Sequence, residues 1–280
     1  MGGNYMKHRR LFISADMEGV AGVVSKAQYA PGERDFERAR KWMTSEVVAA
    51  CDAALAAGVE EIVVADAHFH ADNILMDELP EAVQLVRSWP RELMMSQGVE
   101  LGSYDGACLL GYHVGSRGTH GVLAHTFSGD VIELTLNGQV MSETTINAAI
   151  AGHFGVPVIM VSGDDAYTKH ATQVLGQVET ATVKWAYGTY SERTRSLRAS
   201  CKLIAAKVAA ALTRLDAFRP YRLEGPLDLQ IEISSRFKAE ILGFVPGVER
   251  LSSHRIGIQV SDIVAVSRFL NLYLRINADH

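Results

Sequence analysis

The chain has 280 residues, a net charge of −5, and 48% hydrophobic against 21% charged residues. That is ordinary for a globular protein and enough to bury a large core, in one domain or a main domain with a smaller companion. It supplies no broad basic field for nucleic acid, and no apolar stretch reaches the roughly 20 residues that span a bilayer. The basic start, Met6-Lys7-His8-Arg9-Arg10, is followed by an apolar run that meets Asp16 too soon for a secretory signal. Met6 could be the true start. Cys51, Cys108 and Cys201 are odd in number and widely spaced, so they read as buried free thiols in a reducing cytoplasm, with a catalytic thiol disfavoured.

The first element is an apolar strand, Leu11-Phe12-Ile13-Ser14-Ala15, that ends in Asp16-Met17-Glu18-Gly19. An ionised carboxylate is costly to desolvate unless something positive sits beside it, and residues 11–25 contain no Lys or Arg. A metal ion is one source of that charge; a solvated strand-to-loop junction is the bland alternative. A loop with Gly19 and Gly22 leads to a helix predicted over 35–57 and closed by Gly58. Three later apolar runs repeat the opening pattern. The run 61–66 leads into His68 and His70, the run 106–112 into His113, and the run 156–162 into Gly163-Asp164-Asp165. Short, fully apolar runs separated by helical stretches are the mark of parallel strands buried on both faces. Ligands bind outside the carboxyl ends of such strands, and all four runs finish in groups that bind metals or move protons.

Between 121 and 140 the pattern changes to a hairpin, with 121–126 and 131–136 as apolar segments and Asn137-Gly138 as a turn. Ser142 is a natural N-cap for a helix through His153. Later, 191–218 reads as one long amphipathic helix with a solvated basic face, 227–233 as a strand and 262–276 as a closing helix. The expected fold is α/β, a central, mainly parallel sheet flanked by helices, with a β-hairpin insertion and a smaller C-terminal α+β part. The whole, 1–280, reads as a single unit in which the start of the C-terminal part, 166–280, is not sharply marked.

Asp16, Glu18, His68, His113 and Glu143 make a set of three carboxylates and two imidazoles, which suits Zn²⁺, and a pair of ions better than one. Two Zn²⁺ bring four positive charges, the carboxylates remove three, and a bridging hydroxide cancels the last. That hydroxide is the nucleophile a two-metal hydrolase needs. His125 could act as general acid or base or stabilise an oxyanion; the bland reading is a cross-strand partner in the hairpin. Asp66, His70 and His120 are candidates for holding the ligands in place. Asp164 and Asp165 read best as a helix cap or as such support. Phosphate-loop, dinucleotide, serine-elbow and His-Glu-x-x-His patterns are all missing from the sequence.

In this order, Ser14-Ala15-Asp16-Met17-Glu18-Gly19, Asp66-Ala67-His68, Gly111-Tyr112-His113, Ala124-His125 and Ser142-Glu143 resemble the zinc D-aminopeptidases of peptidase family M55. So do Arg34-Asp35-Phe36-Glu37-Arg38-Ala39-Arg40 and the segment ending at Asp165. The resemblance is strongest over 11–165 and looser after it. It implies a dinuclear zinc aminopeptidase that removes N-terminal D-residues such as D-Ala from short peptides. It also implies that Asp16 bridges both ions, Glu18 and His113 completing one and His68 and Glu143 the other, with His125 catalytic. A homo-oligomer, a ring-shaped decamer, is implied as well. The rival readings are a Mg²⁺-dependent phosphohydrolase of the haloacid-dehalogenase kind, which shares the opening strand and Gly163-Asp164-Asp165, and a non-catalytic binding relative. The phosphohydrolase finds no use for His68, His113 and Glu143; the binding relative would be expected to lack a ligand.

Overall fold

The computed structural model describes residues 9–276; Met6, the alternative start, lies outside them. The first part of the chain runs β1 (Arg10–Ala15), α1 (Lys26–Tyr29), α2 (Phe36–Ala56), β2 (Glu61–Asp66), β3 (Val83–Val86) and β4 (Gly106–Leu110). There follow β5 (Val131–Leu136), β6 (Gln139–Val140), α3 (Glu143–His153), β7 (Val158–Asp164), α4 (Asp165–Leu175), β8 (Glu179–Gly188), β9 (Ser191–Thr194) and α5 (Leu197–Leu212). The chain closes with β10 (Leu227–Ile233), α6 (Arg236–Leu242), β11 (Val248–Arg250), β12 (Arg255–Val260) and α7 (Ile263–Arg275). Among the described residues no helix is long and apolar enough to cross a membrane.

A seven-stranded sheet in the order β3-β2-β1-β4-β7-β8-β9 forms the centre, every pairing parallel except β8 with β9. The apolar runs are explained by burial on both faces. Leu11 and Ile13 of β1 pack with Met43 and Val47 of α2 on one face, while Phe12 faces the opposite core with Val63 and Leu109. From β1 the chain steps outward to β2 and β3, then crosses back so that β4 lies on the other side of β1. The strand order reverses there, between β1 and β4, which is where open α/β sheets form a crevice beyond their carboxyl ends. Asp16 and Glu18 follow β1, His68 follows β2 and His113 follows β4.

The loops after β1 and β4 meet backbone to backbone. Gly19 N–H donates to Gly111 O at 2.7 Å, and Asp16 N–H to Leu110 O at 2.8 Å. A Cβ on Gly19 would lie 2.0 Å from Tyr112 O, and one on Gly111, whose φ is +66°, would lie 2.2 Å from Asp16 O. Glycine is what lets the two ligand-bearing loops touch.

A second, antiparallel sheet in the order β11-β12-β10-β5-β6 joins the central hairpin to the C-terminal strands. The insertion and the C-terminal α+β part expected from sequence thus share one sheet. Asn137 (φ 50°) and Gly138 (φ 77°) form its β5–β6 turn, but only 131–136 and 139–140 pair. The stretch 121–126 is a loop, because Gly121 (φ 142°) and Leu123 (φ 53°) turn the chain out of extended geometry. The helix expected over 191–218 begins later as well: Ser191–Thr194 pairs with β8, and Ser196 caps α5 by accepting from Ala199 N at 3.4 Å.

Candidate metal centre

The three predicted histidines are each held by a backbone carbonyl through the nitrogen that faces away from the carboxylates. His68 Nε2 lies 2.7 Å from Tyr29 O, His113 Nδ1 lies 3.0 Å from Val114 O, and His125 Nδ1 lies 2.9 Å from Leu123 O. A carbonyl only accepts, so these nitrogens carry the hydrogens in the neutral rings. His68 Nδ1, His113 Nε2 and His125 Nε2 are left with free lone pairs. That is the arrangement by which ligating imidazoles are oriented.

The carboxylates gather around those nitrogens. Asp16 divides its oxygens, Oδ1 standing 3.3 Å from His68 Nδ1 and Oδ2 3.4 Å from His113 Nε2. Glu18 Oε2 is 2.9 Å from His68 Nδ1, and Glu143 Oε1 is 3.5 Å from His113 Nε2. The five side chains therefore form two half-sites around Asp16, Glu18 with His68 and Glu143 with His113. This division differs from the one the resemblance implies, which set Glu18 with His113 and His68 with Glu143. All five are buried, at 5% exposure or less. His125 stacks on His113, ring centroids 4.2 Å apart and planes 10° apart. Its Nε2 is 3.9 Å from Glu18 Oε1 and 3.8 Å from Glu143 Oε1.

The residues fit a cation in two respects. First, Glu18 Oε2 and His113 Nε2 are buried and make no hydrogen bond; each lies near an opposite group but out of line with it. A buried polar atom left so costs about 1–3 kcal/mol, and a shared ion meets it. Second, burial opposes charge on Asp16, His68 and His113, yet their mutual attraction outweighs it. His113 and His68 hold Asp16 well below the usual carboxylate range. Glu18 and Asp16 hold His68, and Glu143 and Asp16 hold His113, well above the usual imidazole range.

Other predicted residues have supporting places. Asp66 accepts from Asn73 N at 2.6 Å, Asn73 Nδ2 at 2.8 Å and Ile74 N at 2.7 Å, and so shapes the loop that presents His68. Asp164 caps α4 through Tyr167 N at 2.7 Å and holds Val122 N at 2.7 Å, while Asp165 accepts from Ala186 N at 2.9 Å. His70 is exposed on the wall of the cavity above the centre, whereas His120 is exposed and lines a smaller, separate hollow. Cys51 and Cys108 are buried, and burial pushes the Cys51 pKa up to about 12 and that of Cys108 higher still; Cys201, expected to be buried, is half-buried, and its pKa is pushed up to about 11.

Lys184 was missed by sequence reading. It comes from β8, is completely buried, and donates from Nζ to the carbonyls of Glu18 (2.6 Å), Val20 (3.1 Å) and Val23, with Glu192 Oε2 at 3.2 Å. One ammonium thereby ties down the loop that carries Glu18. Lys184→Met is expected to cost about 3–5 kcal/mol of stability, because it removes the buried counter-charge of Glu192 and the ammonium donor shared by three carbonyls, and to weaken metal retention. Denaturant titration and metal analysis after dialysis check both; unchanged values in the two measurements would remove the clamp.

Above the centre lies a cavity of about 720 Å³. Phe69 (φ 51°), Leu123 (φ 53°) and Phe127 (φ 59°) line it in left-handed conformations that cost a non-glycine residue about 1–3 kcal/mol each. At Phe127 the strain aims a backbone N–H at Glu143 Oε1, 2.6 Å away. Such strain concentrates at functional sites.

The fold is α/β with five candidate metal ligands at the carboxyl edge of its parallel sheet, and comparison with known proteins makes it a metallopeptidase. The family model described as D-aminopeptidase, peptidase family M55, matches residues 9–272, and the chain belongs to that family. A curated relative, the D-aminopeptidase of Bacillus subtilis (strain 168), is 30% identical over 256 residues, which span 91% of this chain and 93% of that one. The solved structure of the Zn-dependent D-aminopeptidase DppA from Bacillus subtilis, a self-compartmentalizing protease, is similar with a TM-score of 0.90 at 28% identity. That match covers 96% of this chain and 99% of the other.

Proposed function

We propose that the chain binds two zinc ions and hydrolyses the N-terminal peptide bond of short peptides, releasing D-amino acids such as D-Ala. The observation that carries this reading is the divided carboxylate of Asp16, one oxygen toward each histidine. Asp16, Glu18 and His68 would hold one ion, and Asp16, His113 and Glu143 the other. When bound, the pair supplies a Lewis acid for the scissile carbonyl and a hydroxide nucleophile available near pH 7.

The chain's own groups do the rest. Glu18 and Glu143 fix the ions against Asp16, and Glu143 is itself set by the Phe127 N–H. His125 presents a lone pair on Nε2 at the edge of both half-sites, its ring held from behind by Leu123 O. From there it can move a proton to the departing amine or support the tetrahedral oxyanion. The phosphohydrolase alternative loses its second acidic element, since Asp164 and Asp165 are occupied with backbone N–H groups. The binding-relative alternative loses ground because all five candidate ligands are present and converge.

We infer further that the chain acts as one peptidase unit in the cytoplasm, as a homo-oligomer and specifically a decamer, without nucleic acid or membrane as partner. The self-compartmentalizing character of the Bacillus subtilis relative supports the oligomer. The test of the site is Glu143→Ala. It is expected to lose one of two zinc equivalents by elemental analysis and to abolish hydrolysis of D-aminoacyl dipeptides. Full activity with both equivalents retained would sink the assignment.

A further inference from the structure

The cavity above the metal centre carries charge of both signs. Its acidic groups are Asp16, Glu18 and Glu143, all part of the centre; Arg275, in the last turn of α7, is the one lysine or arginine among its described lining residues. The Arg275 guanidinium leans on Trp89, with Cζ 5.6 Å from the ring centroid. Trp89 is fixed in turn by donating from Nε1 to Phe69 O at 2.7 Å, and both aromatic residues line the same cavity.

A second guanidinium, Arg91, lies over the same ring at 3.8 Å. The two arginines differ in what they do. Arg91 is buried and donates to Asp66 O at 2.7 Å, a structural use. Arg275 is exposed and, among the described residues, has neither a carboxylate partner nor a hydrogen-bond acceptor. Its like-charged neighbour does not neutralise it but adds to the positive potential on that wall. An exposed arginine is ordinary on a convex surface. Here, among the described residues, it is an unspent fork of donors on the wall of a cavity whose other fixed charges are the candidate ligand carboxylates.

We propose that Arg275 receives the C-terminal carboxylate of a short peptide whose first peptide bond lies at the metal centre. This rests on the aminopeptidase reading of that centre and names its substrate class: small peptides with a free C-terminal acid. Guanidinium and carboxylate match as a two-pronged hydrogen-bonded pair. A cavity of this size takes a ligand of a few residues. The fixed span between the ligand set and Arg275 would make the site read peptide length as well as the N-terminal residue. Trp89 supplies an apolar face against which the guanidinium rests.

The experiment compares a dipeptide as free acid with the same dipeptide amidated at its C-terminus, using the zinc-loaded enzyme and its Arg275→Gln and Arg275→Lys variants. The wild type is expected to favour the acid by about tenfold in kcat/KM, mostly through KM. The ratio should fall to about one in Arg275→Gln, whatever the absolute rates, and stand between in Arg275→Lys, which keeps the charge but not the fork. An acid-to-amide ratio that is the same in wild type and Arg275→Gln overturns the proposal. Calorimetric binding of a non-hydrolysable reduced-amide analogue, acid and amide, judges Arg275 independently of turnover. Wild type that hydrolyses neither peptide counts against the aminopeptidase reading. Tighter binding of the acid, lost in Arg275→Gln, would still support the carboxylate receptor, and equal binding of acid and amide would overturn it.

Discussion

Asp16→Asn is expected to yield a folded protein that retains neither metal equivalent and hydrolyses D-aminoacyl dipeptides at least about 10³-fold more slowly, since it forgoes metal activation of water. The substitution is nearly isosteric. The amide keeps one oxygen to accept from Met17 N–H, now 2.8 Å from Oδ1, but it can no longer offer an anionic oxygen to both half-sites. Glu18 with His68 and Glu143 with His113 are then two separate pairs of ligands, each short of a third. The fold should survive for an electrostatic reason. In the metal-free protein the surrounding acids push the pKa of His68 and His113 well above the usual imidazole range, so Asp16 is one of three acids gathered around two basic rings. Removing one negative charge balances that cluster rather than stranding a buried ion. Elemental analysis, kcat/KM and thermal unfolding of the metal-free forms provide the check. Two zinc atoms per chain in Asp16→Asn would show that the half-sites are independent of Asp16 and that its carboxylate is not shared.

What sequence revealed of this centre, and what it hid, divides along physical lines. β1, β2, β4 and β7 were legible because strands buried on both faces must be apolar throughout, and an acid or imidazole at the end of such a run has no packing use. Ser142 and the Asn137-Gly138 turn were legible because caps and tight turns demand particular residues locally. The contact of Glu18 with His68, at 2.9 Å, was not legible, since it depends on how the loops after β1 and β2 fold toward each other in space. Lys184 was hidden for a similar reason: its hydrogen bond to Glu18 O spans 166 residues of sequence. A lysine within Ala181-Thr182-Val183-Lys184-Trp185 breaks the apolar signal by which a buried strand is recognised. The loop 121–126 misread as a hairpin arm because its residues are apolar enough for a strand. The positive φ angles at Gly121 and Leu123, which turn it toward the cavity, leave no compositional trace beyond the glycine.

That loop exists to present His125, and His125→Gln is the variant that separates its chemistry from metal binding. The imidazole stands farther from the nearest carboxylate oxygens than His68 or His113 does, at 3.8 and 3.9 Å, and keeps 28% side-chain exposure where the other two are nearly sealed. Its ring is stacked on that of His113. A group so placed can reach substrate without being needed to hold an ion. His125 does, however, lie with His113 and Glu143 in one cluster of possible ligand atoms within 4.8 Å of one another, so the two roles make opposite predictions. If His125 moves the proton, His125→Gln keeps both zinc equivalents and the KM for a dipeptide, while kcat falls by about 10²–10⁴-fold, the usual span for loss of general acid–base help. If His125 is a ligand, an equivalent of zinc leaves and KM and kcat change together. Glutamine can still donate a hydrogen bond to an oxyanion but cannot deliver a proton to an amine. A small loss of kcat in His125→Gln and a large one in His125→Ala would therefore assign the imidazole to charge stabilisation, and comparable losses in both would assign it to proton transfer.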